Sequence, residues 1–368
     1  MNPSRWQERL ERLFVPILSI GGGFLTGVLI LLLTGKNPLL MIQGLVKGIS
    51  GYDLRTMQFN SRLLGEFITF SMPLILSGLS FGFAFKTGLF NIGAEGQLIM
   101  GSYAAIALGF WLHWPRALHL PAVVIGSLLA GAIWGAIPGF LKARWNVHEV
   151  VTTIMLNYTA MYTSNYLLRF FPMSNSMRTI PVPPSGTFHS PWLQSITNQS
   201  RLHWGFILVM IAIILYWFII QRTTFGYELR AVGHNPYAAA YAGMRVRRNI
   251  VFSMMIAGAF AGLAGALIAV GTFNFGRILY AFENYGFNGL GVALVGNNTT
   301  LGILVSGLLF GGLMASQPHL QNLGIPKEIG QIIQAAIVVF VAMQYGIRKL
   351  LALWKTRVRQ DRPHKEDR

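Results

Sequence analysis

Ten long apolar runs constrain the fold of this 368-residue chain more than any other feature. Most have roughly 17 to 25 residues, the length that crosses a hydrocarbon core of about 30 Å as a helix. They lie near residues 14–35, 67–85, 95–112, 120–141, 149–168, 204–221, 250–270, 286–297, 301–317 and 329–347. Backbone amides in lipid must form their hydrogen bonds within the protein. We therefore expect an all-α integral membrane protein, a polytopic bundle of about ten transmembrane helices.

The eighth run, near 286–297, is shorter than the others. A short segment at membrane depth has to lie within the bundle, against a cavity or a protein contact, so we expect a short or broken helix there. Its sequence YGFNGLGVA, 285–293, resembles GLFNIGAEG, 88–96, and the two stretches form a candidate internal repeat. Small residues in the seventh run predict close helix packing, at Ala257, Gly258, Ala261, Gly262 and Gly265.

The 29 Lys and Arg residues give a formal net charge of +17, and they lie mainly at the ends of the apolar runs. That distribution is typical of membrane topology and not of nucleic-acid binding. Connections 142–148 and 222–248 and the tail 348–368 are basic. Since positive charge marks the cytoplasmic side, both termini are predicted to be cytoplasmic.

This topology divides the chain into three predicted parts. Residues 1–13 are predicted to form a cytoplasmic N-terminal segment, 14–347 a transmembrane domain, and 348–368 a basic cytoplasmic tail. Within the domain, 169–203 is predicted to be an external loop and 222–248 a cytoplasmic loop. The segment 36–66 is also placed outside although it is basic, and an interfacial helix over 39–50 would hold some of its charges at the headgroups.

A glycine-rich turn enters the third run in the sequence FKTGLFNIGAEGQLIMG, 85–101. The first turn of the predicted helix carries Glu95 and Gln97, so its positive dipole end meets an acidic residue. In one interpretation these polar residues are structural: Asn91 caps the helix, and the negative charge of Glu95 interacts favourably with the helix dipole. In the other, the charge and the free amide donors serve a ligand or a neighbouring helix.

The 222–248 loop is too polar to cross a membrane. It contains a predicted short helix over 238–244, which follows Pro236 and has Asn235 as its N-cap. Taken alone, the loop is either a solvated basic connection or a helix that docks into a groove of a partner.

The motif FNIGAEGQ, within MPLILSGLSFGFAFKTGLFNIGAEGQ, resembles a signature of ATP-binding cassette (ABC) importer permeases for nucleosides and simple sugars, in the larger of two paired permease chains. The resemblance covers residues 65–350. It implies that the 222–248 loop carries the coupling helix that sits on the ATPase subunit. The positions that match the family's coupling pattern are Gly226, Arg230, Gly233, Asn235, Pro236, Ala239, Ala240 and Gly243.

The resemblance also implies the partners. These are a second, related permease chain as a heterodimer, an ATP-binding subunit that holds ATP and Mg, and an external solute-binding lipoprotein. It implies a place in the cytoplasmic (inner) membrane, among lipid, and no cofactor in this chain. A purine nucleoside is favoured over a pentose as the solute.

Amides, aromatic residues and one glutamate at the membrane are the candidates for the translocation path. They are Asn91, Glu95, Asn157, Tyr158, Phe287 and Asn288. Two positions depart from the family pattern: His148 stands where an asparagine is more usual, and the NNT after Gly296 replaces a basic residue or a proline-containing turn.

The chain is expected to be no enzyme. Gly35 and Lys36 lack both the earlier glycine and the following Ser or Thr of a phosphate-binding loop. The alternative function is an ion-coupled secondary transporter of a small polar solute. Such a protein needs a carboxylate in mid-membrane, and the last seven runs carry Glu149, Glu283 and Glu328 only at their ends.

Overall fold

The structure is a computed structural model that describes the backbone of residues 5–343 and the side chains of residues 17–343. The predicted basic tail, 348–368, and the side chains of the predicted N-terminal segment, 1–13, lie outside the described residues. The helices are α1 (Arg5–Leu33), α2 (Pro38–Ser50), α3 (Ser61–Phe85), α4 (Ala94–Trp111), α5 (Arg116–Trp145), α6 (Glu149–Leu168), α7 (Pro191–Ile196), α8 (Gly205–Arg222), α9 (Thr224–His234), α10 (Pro236–Tyr241), α11 (Val246–Ala266), α12 (Tyr285–Val295), α13 (Thr300–Asn322) and α14 (Glu328–Ala342).

The predicted all-α membrane fold is confirmed. Each of the ten apolar runs coincides with a helix, and five helices of the described chain are long and apolar enough to cross a bilayer by length and composition. These are α3, α5, α8, α11 with its continuation to Phe273, and α13. The predicted short helix is also confirmed, because α12 has 11 residues and is roughly 16 Å long.

The strands are short and lie in two antiparallel hairpins. In the first, Tyr52–Asp53 pairs with Gln58–Phe59. In the second, Met173–Asn175 pairs with Arg178–Thr179. The α2 helix confirms the helix predicted over 39–50. The first hairpin follows it and brings the carboxylate of Asp53 to the ammonium group of Lys47, at 2.6 Å. This ion pair neutralises one of the basic residues that depart from the positive-inside pattern.

The chain divides into two compact units, and the smaller consists of α1 and α14. Gly23 on α1 lies against Ile337 of α14 so closely that a Cβ would overlap the isoleucine side chain. Gly22 lies close to the ring of Phe340, where a Cβ would be in tight contact at 3.0 Å. Small residues on one helix therefore accept large apolar residues of the other, which is a common way to pack helices in lipid.

The larger unit, Leu39–Lys327, has α3 at its centre. Nearly all of the apolar part of α3 is buried, and it packs against α8, α11, α12 and α13. On another side, α11 and α5 approach through glycines: a Cβ on Gly262 would overlap the carbonyl oxygen of Ser127, and one on Gly258 that of Gly131. The predicted packing role of Gly258 and Gly262 is thus confirmed.

The α11 helix continues as a π-helix over Leu267–Phe273 and ends at Asn274, which has a left-handed φ of 61°. Residues 275–284 then run without regular structure to α12. The predicted external loop packs onto this stretch, since the amide of Val182 donates to the Asn274 carbonyl at 2.8 Å and that of Thr179 to Gly276 at 3.0 Å. Loop 169–203 is therefore folded against the helices that follow it.

His203 anchors the end of that loop just before α8. Its side chain is 1% exposed, its ring stacks on Phe188, and its Nδ1 accepts a hydrogen bond from the Gly205 amide at 3.1 Å. The Nε2 atom has no partner among the described residues. Burial, with a smaller effect of nearby His189, lowers the pKa of His203 from 6.5 to about 3.

We expect this histidine to make the fold sensitive to acid. Below pH 6.5 the unfolded chain binds a proton that the folded chain refuses until about pH 3, so stability should fall as the pH falls through that window. The slope is about 1.4 kcal/mol per pH unit, and above pH 7 the effect is absent. Melting temperatures at pH 7.5, 6 and 5 test this. His203→Gln should flatten the dependence, and the exposed control His113→Gln should leave it unchanged.

Candidate functional site

Glu95 joins the two glycine-rich stretches that resemble each other in sequence. Its side chain is 1% exposed in the first turn of α4, and its two oxygens accept hydrogen bonds from the amides of Asn284, at 2.9 Å, and Gly286, at 2.6 Å. These amides belong to the beginning of α12. A Cβ on Gly286 would overlap the backbone of Glu95, so the approach requires glycine. Glu95 thus satisfies the positive end of α12 across the fold, and not only that of its own helix.

Asn91 and Asn157 hold the turn before α4 from opposite sides. The Asn91 amide exchanges hydrogen bonds with Gln97, at 2.9 and 3.0 Å, and donates to Ser80. Asn157 on α6 accepts from the Gly96 amide at 2.8 Å and donates to the Ile92 carbonyl at 3.0 Å. The interpretation of Asn91 as the cap of α4 is wrong, because the cap residue is Gly93 and it makes no side-chain cap.

The other three path candidates are more accessible. Tyr158 is 50% exposed on α6, and Phe287 and Asn288 are half-buried in the first turn of α12. The Tyr158 ring lies edge-on to Phe282 at a centroid distance of 4.9 Å, and Phe282 lies edge-on to Phe287 at 5.6 Å. The six candidates therefore fall into two groups: three buried polar side chains that hold the turn, and three accessible residues beside it.

A small polar cavity lies behind this junction, between α4, α6 and the irregular stretch 275–284. Its volume is about 20 Å³, which is room for about one water molecule. Arg277 and Glu283 pair across it, with Nη2 and Oε2 2.8 Å apart. Its polar lining consists of Glu95, Ser102, Tyr103, Ser164, Arg277 and Glu283.

Sequence reasoning missed Ser102, Tyr103, Ser164 and Arg277 as neighbours of Glu95. They come from three separate segments, so no local pattern connects them. Arg277 alone gave a signal, as a charged residue close to an apolar run.

Two helices, α9 and α10, occupy the 222–248 loop. The resemblance predicts that this loop couples to an ATPase, and we therefore call the two helices the coupling segment. Thr223 caps α9 by accepting from the Gly226 amide at 3.0 Å. Asn235 caps α10 by accepting from the amides of Tyr237 and Ala238, each at 3.0 Å, so the predicted N-cap is confirmed. The helix spans Pro236–Tyr241 and so begins and ends earlier than the predicted 238–244. Gly243, with φ of 82°, lies past its end in a left-handed conformation that suits glycine.

The α9 helix was missed, although its buried residues Gly226, Leu229 and Val232 repeat at helical spacing. Among the other coupling candidates, Ala239 is on the buried face of α10. The exposed candidates are Arg230, Gly233, Asn235, Pro236 and Ala240.

Gly233 connects the coupling segment to residues 86–88, which lie just before the FNIGAEGQ stretch. A Cβ on Gly233 would overlap the carbonyl oxygen of Lys86, and Gly88, at φ 74°, lies on the other side of the contact. Thr87 between them donates to Ser253 at 2.8 Å. Burial, aided by the charge of Arg230, lowers the pKa of Lys86. The end of α9 thus rests on residues 86–88, which lead directly into the turn that Asn91 and Asn157 hold.

Two tyrosines stand out from α10. Tyr237 is 86% exposed and Tyr241 is 97% exposed, and their spacing of four residues puts them on one face of the helix. Sequence reasoning missed both residues, although aromatic residues four apart on a loop helix are a signal for a docking surface.

The chain matches a protein family described as branched-chain amino acid transport system / permease component, over residues 63–342. It is 43% identical to the guanosine ABC transporter permease protein NupP of Bacillus subtilis, over 95% of this chain and 98% of that protein. It is 37% identical to the nucleoside ABC transporter permease protein NupB of Lactococcus lactis, over 94% of each chain. It is 32% identical to the glucose ABC transporter permease protein TsgB13 of Haloferax volcanii, over 80% of this chain and 79% of that protein.

The first two of these species also have a second, less similar permease, NupQ and NupC, each 25% identical to this chain. Relatives of this chain therefore come in pairs. The match over most of the chain, the identity to full-length relatives and the helical fold agree with one another. This protein is a multi-pass membrane protein that belongs to the family of ABC transporter permease components.

Proposed function

We propose that the chain is the larger of two paired permeases in an ABC importer that carries a nucleoside, with purine nucleosides favoured, across the cytoplasmic membrane. The identity of 43% to a guanosine permease over nearly the whole of both chains supports this solute class. A simple sugar is the second candidate, because a glucose permease is 32% identical. The partners in this proposal are a related second permease, an ATP-binding subunit and an external solute-binding lipoprotein.

The coupling segment supports a separate ATPase. Tyr237 and Tyr241 project from α10 with almost all of their surface exposed, and no described residue covers either ring. Large aromatic side chains of this kind are typical anchors of protein interfaces. We assign them to a groove of the ATP-binding subunit, which hydrolyses ATP in place of this chain. The eight coupling candidates then position this helix pair.

The contact of Gly233 with residues 86–88 is the observation that carries the mechanism. When the ATP-binding subunits close, they displace α9 and α10. This displacement acts on the turn at 86–88 because the backbone of Gly233 is packed directly against it, with no room for a Cβ atom between them. The turn continues into the segment whose Glu95 holds the beginning of α12. A movement at the coupling segment therefore reaches α12 through one continuous stretch of about ten residues.

In this mechanism the path candidates have two roles. Tyr158, Phe287 and Asn288 line the path. Asn91, Glu95 and Asn157 build its wall and keep the turn rigid. The cavity at the junction has room for about one water molecule, far less than a nucleoside requires, so the solute does not fit into it in the described conformation. In this proposal the Arg277–Glu283 pair keeps the cavity narrow.

The proposed topology has both termini in the cytoplasm, with α9 and α10 on that side. Loop 169–203 then faces outward and forms the landing surface for the lipoprotein. Its folded hairpin, its buried His203 and its contacts with 274–276 support a preformed surface.

Uptake of labelled guanosine and labelled glucose, in cells with and without this chain, tests the proposed solute. We expect the chain to raise guanosine uptake at least tenfold over glucose uptake. Tyr237→Ala with Tyr241→Ala should abolish uptake and the copurification of the ATP-binding subunit, since two interface anchors are lost. Tyr227→Ala, an exposed tyrosine on α9, is the matched control. Selective uptake of glucose would show that the solute is a sugar and not a nucleoside. Full uptake by the double variant would refute the proposal that Tyr237 and Tyr241 bind the ATP-binding subunit.

A further inference from the structure

The α6 helix has two contrasting faces. One is buried and carries Asn157, which holds the turn before α4. The other carries Tyr158, Tyr162 and Tyr166, which are 50%, 65% and 64% exposed. Their spacing of four residues aligns them in a single stripe along the helix. We call these three residues the tyrosine stripe.

The stripe does not have the composition of a lipid-facing surface. Tyrosines favour the membrane–water interface, but Tyr158 lies in the middle of the 20-residue helix, roughly 15 Å from either end. None of the three hydroxyls has a hydrogen-bond partner among the described residues, and an unpaired hydroxyl in hydrocarbon is unfavourable. By contrast, the exposed face of α5 is apolar, with Leu118, Ile125, Leu129 and Ile133. Tyr166, two residues from the end of the helix, suits the interface, but the middle of the tyrosine stripe, at Tyr158, therefore faces something polar.

The stripe leads to the junction that Glu95 holds. Tyr158 contacts Phe282 edge-on, and Phe282 contacts Phe287 at the beginning of α12. Aromatic rings thus continue from one end of α6 to the helix that the coupling segment reaches. No charged residue lies on this row, so its chemistry suits a neutral solute with a flat aromatic part.

We propose that Tyr158, Tyr162 and Tyr166 form the nucleobase-stacking wall of the transport path, with the hydroxyls turned to water and to polar groups of the solute. This proposal rests on the proposed nucleoside function and specifies which surface recognises the base. Stacking on aromatic rings tolerates different bases, because every base has a π-face. A sugar without a base lacks that face, so the stripe selects nucleosides over free sugars.

Kinetics of guanosine uptake by the complete complex test the proposal. Tyr158→Ala and Tyr162→Ala should each raise the KM for guanosine about tenfold, the loss expected for one stacking contact. Tyr158→Phe and Tyr162→Phe keep the ring and should stay within about twofold of wild type. Ile133→Ala, at a similar exposure on the apolar face of α5, should have no effect.

Copurification of the second permease separates stacking from subunit packing. We expect the alanine variants to assemble as wild type does. If they lose the second permease, the stripe is a contact between subunits and the proposal is overturned. A wild-type KM in assembled alanine variants would overturn it as well, while leaving the nucleoside function intact. A wild-type complex that carries glucose and no guanosine would remove the proposed function, and the stacking wall with it.

Discussion

Glu95→Ala is expected to abolish solute uptake and to destabilise the protein more than any other single change in the described junction. The substitution leaves the buried amide of Gly286 without an acceptor and removes the acceptor of the Asn284 amide. A buried amide without an acceptor costs about 1–3 kcal/mol, a large part of a typical stability of about 5–15 kcal/mol. The beginning of α12 should then detach from α4, so that the coupling segment no longer acts on it. Uptake and the melting temperature of the purified complex measure both effects.

Two variants make this prediction specific. Glu95→Gln keeps one acceptor oxygen and should therefore lose less stability than Glu95→Ala, with partial uptake. Glu328→Ala removes an exposed glutamate from the first turn of α14 and should behave as wild type. If Glu95→Ala kept both its uptake and its melting temperature, the junction would have no role in either folding or transport.

Gly233→Val is expected to separate ATP hydrolysis from transport. Any side chain at this position overlaps the Lys86 carbonyl, so α9 must move away from the turn at 86–88. The exposed tyrosines of α10 take no part in the contact of Gly233 with residues 86–88, so binding of the ATP-binding subunit should persist. We therefore expect an assembled complex that hydrolyses ATP and carries at least tenfold less solute per ATP.

The control for this change is a helical glycine with free space around it. Gly21→Ala on α1 meets no other atom within 4 Å and should leave the ratio of uptake to hydrolysis unchanged. A Gly233→Val complex with the wild-type ratio would show that force does not pass through residues 86–88. A complex that fails to assemble would instead assign Gly233 to the binding of the ATP-binding subunit.

The sequence alone predicts the helices well, because a bilayer leaves the backbone few alternatives. The long apolar runs predicted the transmembrane helices, and the shortness of the run at 286–297 predicted the short helix α12. The cap of α10 was also predictable, since Asn235 followed by Pro236 is a local signal. The α9 helix was missed because the polarity of its loop outweighed the helical spacing of three buried residues.

The sequence predicted some of the residues of the candidate site but not its geometry. FNIGAEGQ identified the stretch, yet the partners of Glu95 lie 189 and 191 positions further along the chain. Such contacts depend on how separate helices pack, which no local pattern specifies. Asn91 shows the same limit: its local role would be a cap, whereas the fold provides Gln97 and Ser80 as partners. The exposure of Tyr237, Tyr241 and the tyrosine stripe likewise appears only once the helices are packed.

Reconstitution in vesicles tests the central claim most directly, namely that ATP acting through α9 and α10 drives a nucleoside past the Glu95 junction. The complex would contain this chain, the second permease, the ATP-binding subunit and the lipoprotein, with labelled guanosine outside. We predict uptake that requires ATP, persists when proton and sodium gradients are collapsed, and is lost in Gly233→Val while hydrolysis continues. Uptake that follows an ion gradient without ATP would contradict this account and favour an ion-coupled secondary transporter.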